Sequence, residues 1–416
     1  MSTRLLPILL ASLTTTLAIA SCAGGSEDPP PGGEGGAGGE GGSGPGGADG
    51  MGGVGGQGGM GGQGGMGGMG GVGGQGGMGG MGGVGGQGGM GGMGGMGGEM
   101  TGAVPPPPGP VNPPDGSGSA TFTISKLFLG DTNRDGTPNK ASGWKQYGFN
   151  IDGKISTNLS MDHCKPRKGG SPNSVYPDGD QGIDNSFGKN ILPIFFAVNP
   201  SFSTSVNDSI AQGNGTILMD LQKLGDGQSY NPMTSQLFGG ADLGKPPAFD
   251  GTDVWLADPD TVASAGPPLV AKLSVPDSYL TQDTWVAQAQ GTLKLYLNML
   301  GSWVGVPIIN PVLGMTLDAA HGSAMNGTIS GVVEVEAFKA EFKKAVAALD
   351  SSFCENNATV ESLLTQIEQA ADILLDGSQD PTKECEAISI GLGFNAARVV
   401  LGGVGGPKQI QDPCAP

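Results

Sequence analysis

The chain has 416 residues, of which 83 are glycine, and most of these glycines precede residue 103. About 300 residues, from residue 118 onward, can therefore bury a core, which suits one large domain or two small ones. Acidic residues outnumber basic ones by 38 to 20 overall and by 31 to 19 beyond residue 117. A surface of this charge repels phosphate backbones, which argues against nucleic acid as a partner.

The first segment predicts export. Arg4 precedes an apolar stretch over residues 5–19 that contains no acidic residue, and small residues lead to Cys22. This pattern is typical of a secretory signal peptide over residues 1–21, and it is too short to span a bilayer as a mature helix. It resembles the signals of bacterial lipoproteins, which implies that Cys22 is lipidated and anchors the chain to membrane lipid. Ala23 stands where an aspartate would indicate inner-membrane retention, so the resemblance implies the outer membrane or cell surface.

Residues 22–117 are predicted to be a disordered spacer. Over residues 51–99 two glycines follow each Met, Val or Gln in a period of three, and no packed structure offsets the backbone entropy of such a repeat. A spacer of about 95 residues has a mean reach of roughly 55 Å, and prolines between residues 105 and 114 stiffen its end. Methionines three residues apart are also typical of copper(I) segments, but Val and Gln fill equivalent positions, which favours simple repeat expansion.

Short strands are predicted to dominate the chain beyond residue 118. Over residues 292–299, Leu and Met alternate with polar residues, as in a strand with one buried face. Clusters of Gly, Pro, Asn and Asp separate such stretches, which predicts a mainly β, α+β fold built on an antiparallel sandwich or partial barrel. The other predicted strands are 121–129, 216–221, 253–257, 269–275, 284–288, 304–309, 315–318, 328–335 and 388–394.

Helical periodicity appears in three places. A short early helix is predicted with Ser203 or Thr204 as its N-cap. Later, apolar residues recur at three and four, which predicts a helical pair near residues 335–350 and 358–375. Together these elements predict one β-rich extracytoplasmic head over residues 118–416.

Four cysteines remain in the predicted head. An even number in an exported chain predicts two disulfides, with three possible connectivities. Three of the four lie in the C-terminal third, which favours one bond within that third and one link back to Cys164. The absence of Cys-x-x-Cys argues against a metal cluster. The four residues are Cys164, Cys354, Cys385 and Cys414.

One motif suggests a calcium loop. The sequence Asp-Thr-Asn-Arg-Asp-Gly-Thr-Pro-Asn begins at Asp131, and it places oxygen ligands at positions one, three and five with glycine at six. It resembles the loops of dockerins and thrombospondin type 3 repeats. The resemblance implies Asp131, Asn133 and Asp135 as ligands, with Asn139 acting directly or through water. Position twelve is Ser142, where such loops carry a bidentate acid.

Another acid must therefore complete the calcium shell. The candidates are Asp152, followed by glycine, and the acids of the sequence Asp-Gly-Asp-Gln-Gly-Ile-Asp-Asn, namely Asp178, Asp180 and Asp184. The alternative is that all of these acids build Asx turns.

Signals for catalysis are weak. The two histidines lie in no recognised nucleophile or zinc motif, so no catalytic residue is assigned. Paired carboxylates remain, because Glu334 and Glu336 stand two apart at a strand end, and Asp178 and Asp180 share this spacing. Two carboxyl groups across a sugar are what a glycosidase needs.

The lipidation signal, Gly-rich spacer and Cys-containing head with Asp-Gly and Gly-Ile-Asp-Asn segments resemble the surface lipoproteins of myxobacteria. The resemblance implies a location and no activity. The chain is therefore predicted to be a lipid-anchored binding or structural module of the cell envelope, with an envelope polysaccharide or a surface protein as its partner. Calcium is the one cofactor that the sequence suggests. The alternative is a calcium-dependent extracytoplasmic hydrolase that acts on glycans.

Overall fold

The structure, a computed structural model, describes residues 103–167, 169–355 and 357–408, together with Cys414. The chain divides into two units, Met1–Met93 and Gly94–Pro416, and all described residues belong to the second. The predicted signal peptide, Cys22 and the glycine-rich repeat lie outside the described residues.

The described residues of the second unit form twelve strands, most of them antiparallel. They are β1 (Ala120–Phe128), β2 (Ile217–Leu221), β3 (Tyr230–Gly239), β4 (Val254–Ala257), β5 (Val262–Ser264), β6 (Val270–Ala271), β7 (Leu273–Thr281), β8 (Thr284–Gln288), β9 (Thr292–Met299), β10 (Ser302–Leu317), β11 (Ser323–Glu334) and β12 (Ala387–Val404).

Eight of these strands close into a ring. The order β1-β2-β3-β7-β8-β10-β11-β12 returns to β1, because β12 pairs with both β11 and β1. Thr121 of β1 lies opposite Val399 of β12 on one side and Asp220 of β2 on the other. Ring closure leaves none of these eight strands with a free edge. Two further strands extend the sheet, since β9 pairs with β10, and β4 runs parallel to β12.

Within the described part of the chain, five α-helices accompany the sheet: α1 (Pro172–Val175), α2 (Leu192–Val198), α3 (Phe202–Ala211), α4 (Val335–Leu349) and α5 (Ala358–Gln369). The predicted mainly β fold with a C-terminal helical pair is thus confirmed. Helix α4 begins after Glu334, whose carboxylate accepts from the backbone N–H groups of Glu336 and Ala337. Asn357 caps α5 in the same way.

One hydrophobic cluster joins the strands to the helices. It contains buried residues of β1 to β3 and β7 to β12 together with the apolar faces of α2 to α5. Phe195 of α2 stacks on Phe202 of α3 with ring centroids 4.4 Å apart, and it meets Phe342 of α4 edge-on at 5.6 Å. The helices therefore share their core with the sheet, so the head folds as one body.

Several boundaries differ from the sequence prediction. Predicted strands 304–309 and 315–318 form one strand, β10, because a register shift after Ile309 lets the ladder continue past Pro311. The N-cap of α3 is Ser201 rather than Ser203 or Thr204. Helix α5 ends earlier than predicted because Ile373 already pairs with Ala387 at the start of β12.

The proline-rich stretch before β1 packs on the head, although its composition places it in the spacer. Asn112 forms a backbone bridge with Asn231, and the Tyr279 hydroxyl donates to the carbonyl of Pro106. Asp115 accepts from the Tyr230 hydroxyl at 2.7 Å. The contacts that hold the head thus begin before residue 118.

Two disulfides cross-link the head, as predicted. Cys164 pairs with Cys385, and both residues are fully buried. Cys354 pairs with Cys414, so one bond lies within the C-terminal third and the other leads back to Cys164.

Among the helices that the structure describes, none is long and apolar enough to cross a membrane.

Candidate functional site

The predicted calcium loop that begins at Asp131 is a set of Asx turns. The carboxylate of Asp135 accepts from the backbone N–H of Thr137 at 2.8 Å and from its hydroxyl at 2.7 Å. The amide oxygen of Asn139 accepts from the N–H and hydroxyl of Ser142. These local bonds already use oxygens that the resemblance assigns to a metal.

The remaining predicted ligands of this loop also have other roles. Asn133 Oδ1 accepts from Asn139 Nδ2 and from Gln146 Nε2, each at 2.8 Å. Arg134 turns inward, donates to Gly327 O of β11 and lies 5.0 Å from the centre of the buried Tyr147 ring. The guanidinium group of Arg134 therefore lies inside the loop and fixes it to the sheet. Only the Asp131 carboxylate makes no hydrogen bond within the described residues.

Three other predicted ligands, Asp152, Asp178 and Asp184, come together in the structure. Asp184 is buried, and its carboxylate accepts from the backbone N–H of Ile151 at 2.6 Å and from that of Asp152 at 3.2 Å. Asp178 accepts from the backbone N–H of Ser156 at 2.5 Å. Asp180, in contrast, is exposed to solvent.

A fourth carboxylate, that of Asp372, joins this group and was not predicted. It is buried and accepts from both the backbone N–H and the hydroxyl of Ser389 on β12. Asp372 follows α5 at a distance of about 190 residues from Asp178 in sequence, so no local motif could indicate it. We call Asp152, Asp178, Asp184 and Asp372 the acid cluster.

Burial and mutual repulsion govern the charge of the acid cluster. Desolvation raises the pKa of Asp178 to about 7, with the charge of Asp152 adding to the rise. Desolvation likewise raises the pKa of Asp372 to about 7. The pKa of Asp184 is raised well above its ordinary value by burial and by the other three carboxylates. Such a cluster favours a bound proton or cation at neutral pH.

The head supplies little positive charge to the acid cluster. Lys189 faces Asp372 and Asp178, but burial lowers its pKa to about 8, and its ammonium donates to the carbonyl of Pro177. Lys154 pairs instead with Asp162 at 2.5 Å. The four carboxyl groups of the acid cluster thus face one lysine, Lys189, whose lowered pKa weakens its positive charge.

Asn185, beside Asp184, is a residue that the sequence reading missed. Its amide group donates to the carbonyls of Trp144, Tyr147 and Gly391 and accepts from the N–H groups of Gly188 and Gly391. The Gly-Ile-Asp-Asn segment therefore ties the loop after β1 to β12. The only signal for Asn185 in the sequence is its place next to Asp184, a predicted ligand.

A cleft of about 420 Å³ opens between the end of β1, the Asp131 loop and the start of α3. Lys126 Nζ lies 4.9 Å from the centre of the Phe128 ring, and Lys140 Nζ lies 4.8 Å from that of Phe196. No carboxylate among the described residues pairs with either lysine. The lining also includes Asp131, Ser203, Thr204, Asn207 and Asp208.

A second cavity, of about 560 Å³, adjoins β2 and β3. Its two buried polar side chains are already paired, because Asp220 accepts from Thr121 and Gln236 bonds to the backbone of Leu269 and Ala271. The first cleft, with its unpaired ammonium groups, is therefore the better candidate for a ligand site.

The residues considered for hydrolysis have structural partners. Glu334 caps α4, and Glu336 forms ion pairs with Arg167 at 2.8 Å and Lys339 at 3.1 Å. His321 lies 3.8 Å from Asp283 through Nε2. Among the described residues, no three His, Cys, Asp or Glu side chains are grouped so as to hold a metal ion.

No protein-family model, curated protein or solved structure matches this chain.

Proposed function

We propose that the protein is a lipid-anchored lipoprotein of the outer membrane or cell surface, whose head binds an envelope polysaccharide. The observation that carries the ligand class is the pair of unpaired lysines in the cleft. Both lysines line the same cleft and neither forms an ion pair within the described residues, whereas Lys154, Lys294 and Lys339 pair with carboxylates. Two ammonium groups without such partners favour an acidic ligand.

The geometry of the cleft suits a sugar acid. Its volume falls within the usual range of small-ligand sites, which is roughly 300 to 1,000 Å³. Lys126 and Lys140 would bind a carboxylate, while Asp131 and Thr204 offer hydrogen bonds to sugar hydroxyls. The aromatic rings beneath the two ammonium groups hold them in place.

The test is binding of an oligosaccharide of hexuronic acid, compared with a neutral glucan, by calorimetry at two salt concentrations. We expect the acidic ligand alone to bind, and more weakly at high salt. Replacing both Lys126 and Lys140 by Ala removes two partly exposed ion pairs of about 1 kcal/mol each, which lowers affinity by roughly tenfold or more.

The matched control is Lys245→Ala, an exposed lysine outside the cleft. It changes the net charge of the head without touching the cleft, so we expect unchanged affinity. Equal binding of the neutral glucan, or an equal loss in the Lys245 variant, would contradict the proposal.

The alternative, a calcium-dependent hydrolase, has less support because Glu334 and Glu336 are engaged as a helix cap and in ion pairs. Incubating the protein with the same oligosaccharides and measuring new reducing ends separates the two functions. Turnover that disappears in a Glu334→Gln or Asp178→Asn variant would show that the protein is an enzyme and not a binding module.

A further inference from the structure

Buried polar atoms without hydrogen bonds are concentrated in one loop. The described residues contain seven such side-chain atoms, and five of them belong to residues 150–163. They are Asn150 Oδ1, Asp152 Oδ2, Ser156 Oγ and both ring nitrogens of His163. A buried acceptor left unpaired costs about 1 to 3 kcal/mol, so their concentration indicates a missing partner.

Two of the unpaired oxygens lie at the acid cluster, because Asp152 belongs to it and Ser156 contacts Asp178. Ser156 is 6% exposed, its N–H donates to Asp178, and its hydroxyl lies beside the same carboxylate without hydrogen-bonding geometry. His163 is 4% exposed, and its nearest charges are Asp152 and Asp162. These side chains thus point into a region that already carries an excess of negative charge.

The other cluster members bind backbone or side-chain groups of the loop and of β12. Asp184 Oδ2 holds the backbone N–H groups of Ile151 and Asp152, and both oxygens of Asp372 are bound to Ser389. Asn150 Nδ2 donates to the carbonyl of Lys154 and closes the turn, while Asn150 Oδ1 is left without a hydrogen bond. The buried oxygens of this loop that lack a hydrogen bond belong to Asn150, Asp152 and Ser156, and the Asp178 carboxylate contacts Ser156.

We propose that Asn150 Oδ1, Asp152 Oδ2, Ser156 Oγ and the Asp178 carboxylate bind a divalent cation of the calcium class. All four are hard oxygen donors, and an amide, a hydroxyl and two carboxylates form a mixed set that calcium accepts in irregular geometry, with water completing the shell. Only two of the four proposed ligands are carboxylates. The site is therefore compatible with the finding that no three His, Cys, Asp or Glu side chains of the described residues are grouped around a metal position.

The charges around this site support a cation. Asp184 and Asp372 place two further carboxyl groups beside the ligands, and among the described residues Lys189 is the ammonium that faces them, since Lys154 pairs with Asp162. The Asp131 loop differs, because Arg134 lies inside it and the side-chain oxygens of Asn133 and Asp135 accept hydrogen bonds from neighbouring residues. The site therefore lies apart from the loop whose sequence first suggested calcium.

A bound cation would act on the fold at this point. The loop follows Tyr147, donates two backbone N–H groups to Asp184, and leads to Cys164 of the buried disulfide. We assign the cation a stabilising role, independent of the cleft at Lys126 and Lys140.

The experiment is calorimetric titration of the purified full chain with CaCl2, followed by thermal melts in calcium and in chelator. At a calcium concentration of 100 times its dissociation constant, binding to the native state alone shifts the unfolding equilibrium about 100-fold, or about 2.7 kcal/mol. We expect Asp152→Asn and Ser156→Ala each to weaken calcium binding, the former at least tenfold. Magnesium is expected to bind more weakly, because it demands near-octahedral geometry.

Asp131→Asn is the matched control, since it removes the first residue of the predicted calcium loop and should leave calcium affinity within twofold of the parent. If the Asp152→Asn variant fails to fold, Ser156→Ala still tests the site, because it removes one oxygen and no charge. The proposal is overturned if millimolar calcium gives neither heat nor a shift in the melt. It is equally overturned if calcium binds but Asp131→Asn weakens it while Asp152→Asn and Ser156→Ala do not, or if all three variants bind like the parent.

Discussion

The Asn185 side chain joins three separate segments of the head. It is 2% exposed and makes five hydrogen bonds to the loop after β1, to β12 and to its own turn. An aspartate could not replace it, because three of the bonds need N–H donors. The amide group therefore acts as a cross-link in a place where the sheet and the loop have no shared ladder.

We predict that Asn185→Ala is strongly destabilising. Loss of the amide leaves several buried carbonyl and N–H groups unpaired, at about 1 to 3 kcal/mol each, so we expect a loss above 3 kcal/mol in urea unfolding. Asn112→Ala is the control, because Asn112 is exposed and its side chain makes one hydrogen bond, to Ser229. A loss similar to that of the control would show that the network is not cooperative.

A buried acid on β2 gives a pH-dependent prediction. Desolvation raises the pKa of Asp220, although its hydrogen bond from Thr121 partly opposes this rise. An acid with a raised folded pKa stabilises the native state fully only below its unfolded pKa, and this contribution is lost as pH rises through the folded pKa. Asp220→Asn keeps an oxygen for Thr121 and removes the charge, so we expect greater stability at pH 7 and no gain near pH 3.

The control for this prediction is Asp250→Asn. Hydrogen bonds from Thr252 lower the pKa of the exposed Asp250, so its stabilisation exists at neutral pH and is lost as pH falls through the folded pKa. Urea unfolding between pH 3 and 7 should therefore show effects of opposite sign. A change in stability of the same sign for both variants would mean that burial does not control the pKa of Asp220.

Individual residues could be predicted from sequence only where a short pattern carried them. The acids of the Asp-Gly-Asp-Gln-Gly-Ile-Asp-Asn segment were found as candidates, and two of them, Asp178 and Asp184, do meet Asp152. Asp372 could not be found, because it reaches the same region only through the fold. Hydrogen-bond propensity is local, whereas a buried cluster is assembled by tertiary packing.

At the scale of elements, the sequence predicted which face of a strand is buried, but it did not predict which strands pair. The alternation of Leu and Met in β9 predicted its bounds correctly, since period-two burial is a local property. Pairing of Thr121 with Val399 joins the two ends of the head, and no periodicity encodes that contact. Strand β3 was missed because Asn231 and Pro232 near its start are turn residues, and Pro lacks an N–H donor for the ladder.

The two disulfides differ in the elements that they connect. Cys164–Cys385 closes a loop of 221 residues, and Cys354–Cys414 closes one of 60. Chain entropy predicts stabilisation of about 5 kcal/mol for the longer loop and about 4 kcal/mol for the shorter one. The first bond is also buried in the main core, whereas Cys414 is exposed.

We therefore predict that replacing Cys164 and Cys385 by Ala destabilises the head more than the same change at Cys354 and Cys414. Urea unfolding of the two double variants under oxidising conditions measures the difference. A larger loss in the Cys354 and Cys414 variant would show that the C-terminal link, rather than the core bond, limits stability.

The whole molecule is predicted to act at a membrane through Cys22. Several acyl chains on this residue would give near-permanent attachment, since each buried methylene contributes about 0.8 kcal/mol. We predict that Cys22→Ala moves the protein from the membrane fraction to the aqueous fraction after detergent phase separation and abolishes labelling by a fatty-acid analogue. Ser21→Ala, which keeps the cysteine, is expected to leave both properties unchanged. Persistent labelling of the Cys22 variant would refute the anchor.

Attachment at one end determines how mechanical load enters the head. Ligand held at Lys126 and membrane lipid held at Cys22 would pull on opposite ends of β1, whose ladders with β2 and β12 run along the direction of force. Such loading shears many hydrogen bonds together instead of opening them one at a time, and the survival of the head is then set by its unfolding rate. The stretch before β1 yields first, because isolated contacts hold it, including the bond from Asn150 N–H to Ala103 O. Tension on the anchor would thus reach the Asn150 loop before it reaches the sheet.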